Sequence, residues 1–385
     1  MRIIVSVKNF YPPIGGAEKS IELLIKKLAE KHTVAVICSG SENKDVMWSG
    51  FPVHIRKVRK VPQPTSIPRV EWLNLFYETD QWRKIFELEL KKSKPELVIT
   101  QLEFAPPTAE LSIEEGIPVI VFVRSYEHFC PIGFLDKDPF TCNQFCWQCI
   151  GPVSKAQYIF IKKLLNRHKK ILKYGDLVLA NSEYIKKVTE RFYGRKANVM
   201  YPFIDLAAYR AKKHESKYLL FVGKDEHKGL SILLKIAEQM ADKNFMILGK
   251  LNSATLDKIK IQTNVQNISA VNNMQEIYSQ TALLLMPRLW PEPFGRIVIE
   301  AGINGIPTVA SNVGGLSEAV SDGGVVIDNY KNIEVWTGTI RKILDNDRYY
   351  SLLATNAKRH AERFDFKFIY NNFKTIVEDE LDIKV

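Results

Sequence analysis

Two glutamates with seven residues between them, Glu292 and Glu300, occupy the stretch WPEPFGRIVIEAGING, directly after the apolar run ALLLMP. Pro291 and Pro293 restrict how the chain leaves that run, and Gly295 allows a sharp turn. A helix should then begin near Arg296 and Ile297, its first backbone N–H groups open to an anion. Glu300 falls more than one turn into it, where a carboxylate can accept two hydrogen bonds from a vicinal diol such as a ribose. Glu292, on the loop, can reach a sugar hydroxyl beside phosphates. The plainer alternative is a Glu300 salt bridge to a neighbouring helix and a solvated Glu292.

Two other loops carry residues suited to the same ligand. In FVGKDEHKGLSILL, Gly223 closes an apolar run, and Lys224 and Lys228 precede a helix starting near Gly229. Two ammonium groups at a strand tip suit a diphosphate, although surface lysines are common. In NFYPPIGGAEKS, Gly15 and Gly16 let backbone N–H groups approach an anion at the start of the next helix. Paired glycines also make ordinary turns, and neither the dinucleotide fingerprint nor the phosphate-loop signature of NTPases is present.

The elements that must position these loops are legible as alternation. The runs RIIVSV, TVAVIC, ELVIT, PVIVFV and LVLANS, then YLLFVG, NFMILG, ALLLMP, PTVAS and GVVID, are separated by stretches with helical spacing. Leu230, Leu233, Leu234, Ala237 and Met240 share one helix face, as do Tyr158, Ile161, Leu165, His168 and Leu172. That is the pattern of βαβ units and parallel sheets. At 385 residues the chain exceeds the roughly 250–300 that one core supports, so two domains are expected. The polar stretch after Pro202 marks the division. The expected fold class is α/β, two doubly wound Rossmann-like parallel-sheet domains facing a central cleft, with boundaries at 1–205 and 206–369. The last helix, about 370–385, is expected to pack back on the first domain.

A composition of 46% hydrophobic and 25% charged residues is that of a globular protein, with no low-complexity tract. The apolar runs are strand-sized, and the opening MRIIVSV is too short for a secretory signal, so a cytoplasmic location is expected. Five cysteines without a signal favour a reducing compartment. The formal charge is +11, and residues 155–196 hold twelve Lys/Arg against three Asp/Glu. A basic face of that kind can meet an anionic membrane surface, a phosphorylated substrate or nucleic acid, or be a solvated helix face.

Taken together, GGAE, ANSEYIKK at 180–187, YPFID at 201–205, FVG…KG at 221–229 and EPFGRIVIE followed by AGINGIPTVASNVGGLSEAV carry a resemblance. In that order they closely resemble the retaining, nucleotide-sugar-dependent glycosyltransferases of the GT-B fold, group 1 or family 4. The match runs from Met1 to about Tyr370. The resemblance implies a hexosyltransferase moving a sugar from a nucleoside-diphosphate sugar to a glycan or lipid-linked acceptor. It assigns Gly15, Gly16, Gly223, Lys224 and Lys228 to the donor diphosphate. Glu300 goes to the ribose, Glu292 to the transferred sugar, and the backbone of Pro293, Phe294, Gly295, Arg296 and Ile297 to the distal phosphate. Two lysines and a helix dipole then stabilise the leaving group, so no metal cofactor is required. The Asp136/Asp138 and Asp345/Asp347 pairs do not follow strands as metal-binding pairs would.

The chain departs from that family at two points. Lys224 stands where Arg is usual, which keeps the charge and loses the bidentate fork. After PVIVFV, where many relatives have a His-Asp pair, this chain has Arg124 and Ser125, with His128 close by. Arg124 cannot act as a base, but it can orient a phosphate or hydroxyl. Glu18, Ser125 and His128 are the acceptor-side candidates.

Cys130, Cys142, Cys146 and Cys149 crowd one loop. They form a candidate structural zinc site, with free thiols as the alternative, and the last three also match an iron–sulfur spacing whose barrel context is missing. A sugar-nucleotide epimerase or phosphorylase of the same fold, or a basic binding protein without activity, are the competing functions. Nucleic acid is not the expected partner; a peripheral place on the inner face of a membrane fits the basic segment better.

Overall fold

The computed structural model describes residues 1–13, 15–59, 71–126, 129–130, 139–143, 149, 158–159, 162–163, 165–167, 169, 175–212 and 217–385. The chain forms two compact units, Met1–Phe203 with Ile369–Val385, and Ile204–Phe368.

In the first unit, β1 (Arg2–Val7), β2 (Thr33–Gly40), β3 (Lys44–Trp48), β4 (Phe51–Lys57), β5 (Leu97–Gln101), β6 (Val119–Val123), β7 (Leu177–Ala180) and β8 (Asn198–Val199) form one sheet. Their order is β3-β4-β2-β1-β5-β6-β7-β8, and β3 is the antiparallel strand. β5, β6 and β7 are buried along their whole length, which is why they appear as unbroken apolar runs rather than alternating ones. Helix Gly16–Leu28 turns Ile21, Leu24, Ile25 and Leu28 inward. The final helix, Phe366–Leu381, seats Phe373 against Phe122 and Phe203, at 6.3 and 5.9 Å between ring centroids.

In the second unit, β9 (Tyr218–Val222), β10 (Asn244–Leu248), β11 (Val265–Ile268), β12 (Thr281–Met286), β13 (Thr308–Ser311) and β14 (Gly324–Ile327) form a wholly parallel sheet. The order is β11-β10-β9-β12-β13-β14. Leu230, Leu233, Ala237 and Met240 pack under it, with Leu234 at the margin, and Trp336, Ile340 and Ile343 complete the core. Of the second helical stripe, Leu165 is buried and Tyr158 half-buried; Ile161, His168 and Leu172 lie outside the described residues.

Each sheet reverses its strand order at one place, between β1 and β5 in the first unit and between β9 and β12 in the second. Open parallel sheets bind ligands just beyond the carboxyl ends of the strands at such a reversal. The loop Val222–Gly229 and the loop Met286–Gly295 leave the sheet at that point in the second unit.

Ten strands coincide with the ten runs named above; β3, β4, β8 and β11 do not appear among them. β3 and β4 form a hairpin whose Ser49 and Gly50 have φ of 48° and 92°, a two-residue turn with both central residues left-handed. Their sequences, KDVMW and FPVHIRK, mix charge with apolar residues because one edge faces solvent.

Candidate functional site

After β9 the chain makes a short 3-10 turn, Glu226–Lys228, with the Asp225 side chain accepting from the Lys228 N–H at 3.3 Å. Gly229 ends it at φ 81°, so close to the next loop that a Cβ there would lie 1.6 Å from the Pro287 carbonyl oxygen. Only glycine permits that approach. The Lys228 stem lies over Gly223, where an added Cβ would come within 2.7 Å of the Lys228 Cβ. Leu289 N–H donates to the His227 carbonyl at 3.1 Å, pinning the second loop to the first.

These contacts bring Lys228 to Glu292. Its Nζ lies 3.0 Å from Glu292 Oε2 and 4.9 Å from the centre of the Trp290 ring. Arg288 Nε lies 3.3 Å from the same carboxylate oxygen. Burial alone would raise the Glu292 carboxyl, but Lys228 and then Arg288 reverse that and hold it below the usual range. Lys228 is shifted down: burial is the largest effect and Arg288 adds to it, outweighing the support of Glu292 and, more weakly, of Asp225. Lys224 is exposed. The turn therefore places one lysine on the carboxylate and leaves the other in solvent.

Glu292 is also fixed through its backbone. It pairs with Gly314 as an isolated parallel bridge, and Gly315 N–H donates to the Glu292 carbonyl at 2.7 Å. Pro293, Phe294 and Gly295 are buried, and Phe294 tilts against Phe364 with centroids 5.4 Å apart. Gly295, at φ 99°, begins the helix Arg296–Gly302 without a side-chain cap. Arg296 and Ile297, its first two residues, are half-buried.

Glu300 points into a buried network. Arg296 Nε donates to Glu300 Oε1 at 2.7 Å, and the Tyr278 hydroxyl donates to Oε2 at 2.9 Å. Arg296 also donates to the Tyr209 hydroxyl at 2.9 Å. Burial first, and the neighbouring Glu300 charge second, push both tyrosine hydroxyls above their ordinary range. Each Glu300 oxygen keeps acceptor capacity, since an ionised carboxylate offers about four lone-pair sites. A salt bridge and a diol-binding role are therefore compatible.

In the first unit, Gly15 precedes the helix Gly16–Leu28 without a side-chain cap. The Glu18 carboxylate folds back over this turn, so that a Cβ on Gly15 would meet Glu18 Oε2 at 2.1 Å. A glutamate in the first turn gains from the positive end of its own helix. Arg124, just past β6, is buried, stacks 4.6 Å from the Phe122 ring centre and donates to the Ala17 carbonyl at 3.2 Å. It thereby ties the β6 end to the glycine loop. Asn181 Nδ2 donates to the Arg124 carbonyl at 3.1 Å. Ser125 is half-buried, and His128 lies outside the described residues.

Comparison with known proteins decides what scaffold holds these groups. The family model for Glycosyltransferase Family 4 matches residues 14–208, half of the chain, and that for Glycosyl transferases group 1 matches residues 206–360. The chain belongs to these glycosyltransferases. An uncharacterised 42.6 kDa protein in the cps region of Klebsiella pneumoniae is 27% identical over 344 residues, 83% of this glycosyltransferase and 87% of that protein. Sucrose-phosphate synthase from Thermosynechococcus elongatus superimposes with a TM-score of 0.74 at 16% identity, over 98% of this chain and 99% of its own. HepE of Anabaena, solved with UDP-glucose, gives 0.71 at 17% identity, over 98% and 100%. At those identities the likeness is one of fold, and the fold is GT-B.

Three side chains of this glycosyltransferase's network went unnoticed in its sequence: Arg288, Tyr209 and Tyr278. Arg288 had a usable signal, a cation directly after the last residues of a buried run at the carboxyl end of a parallel strand. The tyrosines had none, because they approach Glu300 from distant segments. Asp345 ends one helix and Asp347 begins the next, while Asp136 and Asp138 lie outside the described residues. Cys130, Cys142 and Cys149 are half-buried and Cys146 is outside the described residues. Among the described residues no group of three or more His, Cys, Asp or Glu is placed to hold a metal ion, and no helix is long and apolar enough to cross a membrane.

Proposed function

We propose that this glycosyltransferase moves a hexosyl group from a nucleoside-diphosphate sugar to a hydroxyl of a glycan or lipid-linked acceptor, with retention and without a metal. Donor recognition belongs to the second unit and acceptor recognition to the first. The observation that carries this reading is the Lys228–Glu292 contact of 3.0 Å beyond the carboxyl ends of β9 and β12. It puts a cation suited to a phosphate beside a carboxylate suited to sugar hydroxyls. As the bond from the anomeric carbon to phosphate breaks, negative charge grows on the diphosphate. Lys228, with Lys224 from the exposed turn, opposes that charge.

Glu292 then orients the sugar, Glu300 takes the ribose diol, and the backbone from Pro293 to Ile297 takes the distal phosphate. Gly15 and Gly16 as phosphate contacts, Arg124 as an orienting group, and Glu18, Ser125 and His128 as acceptor contacts are proposals for the first unit on its own. The UDP-glucose bound by HepE supports a nucleotide-sugar donor. The basic stretch 155–196 supports a cytoplasmic enzyme resting on an anionic membrane surface.

A thermal-shift panel of UDP-, GDP- and ADP-sugars tests the donor. One of them at a hundred times its Kd should stabilise the fold by about 2.7 kcal/mol. A nucleoside diphosphate should then be released on adding acceptor, at the same rate with and without EDTA. A panel in which none of the sugars shifts the midpoint overturns the reading.

A further inference from the structure

The two cations on Glu292 differ in kind. Lys228 is partly exposed, with 29% of its side chain accessible; its stem lies across Gly223 and its ammonium lies over the Trp290 ring. Arg288 keeps only 4% of its side chain accessible. Three of its N–H groups are given to the framework: Nη1 to the Lys228 carbonyl at 3.2 Å, Nη2 to the Val222 carbonyl at 3.1 Å and to Met286 Sδ at 3.3 Å. Arg288 thus cross-links the ends of β9 and β12 and has no route outward. Lys228 is tied by one ion pair and can rotate.

We infer that Arg288 is a positioning residue, a fixed counter-ion that keeps Glu292 charged and in place when Lys228 leaves it for a diphosphate. This rests on the donor reading above and explains how one carboxylate can serve a sugar while its lysine serves a phosphate. A lone Lys228–Glu292 pair is neutral and would have to be broken to bind an anion, stranding a buried carboxylate. With Arg288 the three side chains carry one net positive charge, and the ligand receives it. Asp225, on the Lys228 turn, is the other charged group acting on both cations, and His227 sits exposed beside Lys228.

The inference predicts where a proton goes. In wild type, a diphosphate draws Lys228 away and Glu292 stays ionised against Arg288. In Arg288→Met, Glu292 loses both partners on binding, its pKa rises, and it takes up one proton from solvent. Binding coupled to proton uptake weakens as pH rises. UDP binding by wild type, Arg288→Met and Arg288→Lys is measured by calorimetry at pH 5.5–8 in buffers of differing ionisation enthalpy, with GDP and ADP as alternative probes. The ratio of variant to wild-type Kd removes the titration of the nucleotide and of groups common to both proteins.

For Arg288→Met the ratio should be about 30 at pH 7. It should climb with pH by up to about tenfold per unit, with up to one extra proton bound. Arg288→Lys should bind no extra proton. A ratio independent of pH, with no extra proton, overturns the inference and leaves the donor reading standing. Wild type that binds none of the three nucleotides overturns the donor reading and this inference with it.

If Arg288→Met does not fold, Lys228→Met carries the test. With Arg288 present, Glu292 keeps a depressed pKa, so the variant's thermal midpoint should follow the wild-type pH profile between 5.5 and 8. If Arg288 does not hold the charge, the Glu292 pKa is raised instead, and the variant loses stability relative to wild type as pH increases.

Discussion

Lys228→Met should lower the rate of sugar transfer by about 10³-fold while changing stability by less than about 1 kcal/mol. The two effects separate because the lysine is partly exposed and its carboxylate partner keeps a second cation: Arg288 Nε is 3.3 Å from Glu292 Oε2. Removing Lys228 therefore strands no buried charge. What is lost is the cation that faces the leaving diphosphate, and its loss is felt most where charge is greatest, in the transition state. Lys228→Arg should recover only part of the rate. A planar guanidinium does not reproduce an ammonium lying 4.9 Å from the Trp290 ring centre along a stem that crosses Gly223. Initial rates of nucleoside diphosphate release, with thermal midpoints on the same samples, check both statements. A Lys228→Met rate within tenfold of wild type would remove Lys228 from the leaving-group role.

The sequence made the chemistry of this unit visible where residue type and loop position coincide. Glu292, Lys228 and Gly223 stand at the ends of apolar runs, and buried parallel strands look like unbroken runs because helices cover both faces of the sheet. Arg288 also stands there, but an arginine after a strand is as easily a solvated residue. Its role depends on the Val222 and Lys228 carbonyls, which accept from it at the end of β9 and in the turn beyond, and no pattern local to Arg288 encodes that. The β3–β4 hairpin was hidden for a different reason. An edge strand that faces solvent on one side carries charges among its apolar residues, so KDVMW lacks the signature of its buried neighbours. Gly229 was legible only as a helix start; that it sits against the Pro287 carbonyl is a tertiary fact.

Glu300→Ala should destabilise the protein by about 3 kcal/mol, because it removes the acceptor from a buried hydroxyl and from a half-buried guanidinium at once. The Tyr278 side chain is fully buried and donates to Glu300 Oε2 at 2.9 Å, and Arg296 donates to Oε1 at 2.7 Å. Without the carboxylate, Arg296 retains the Tyr209 hydroxyl, 2.9 Å away, and loses its 2.7 Å ion pair with Glu300. The midpoint of the second unit, Ile204–Phe368, should fall by about 6–12 °C if it melts as one body, its length lying within roughly 150–250 residues. Glu300→Gln keeps an oxygen for one donor and loses the charge, so about half of that loss should return. The donor tells a different story. If Glu300 also holds the ribose, both variants should raise KM for the nucleotide sugar well above wild type, and Gln should restore stability more than it restores KM. A Gln variant that recovers stability and donor KM together would make Glu300 a framework residue and move ribose recognition elsewhere in the second unit.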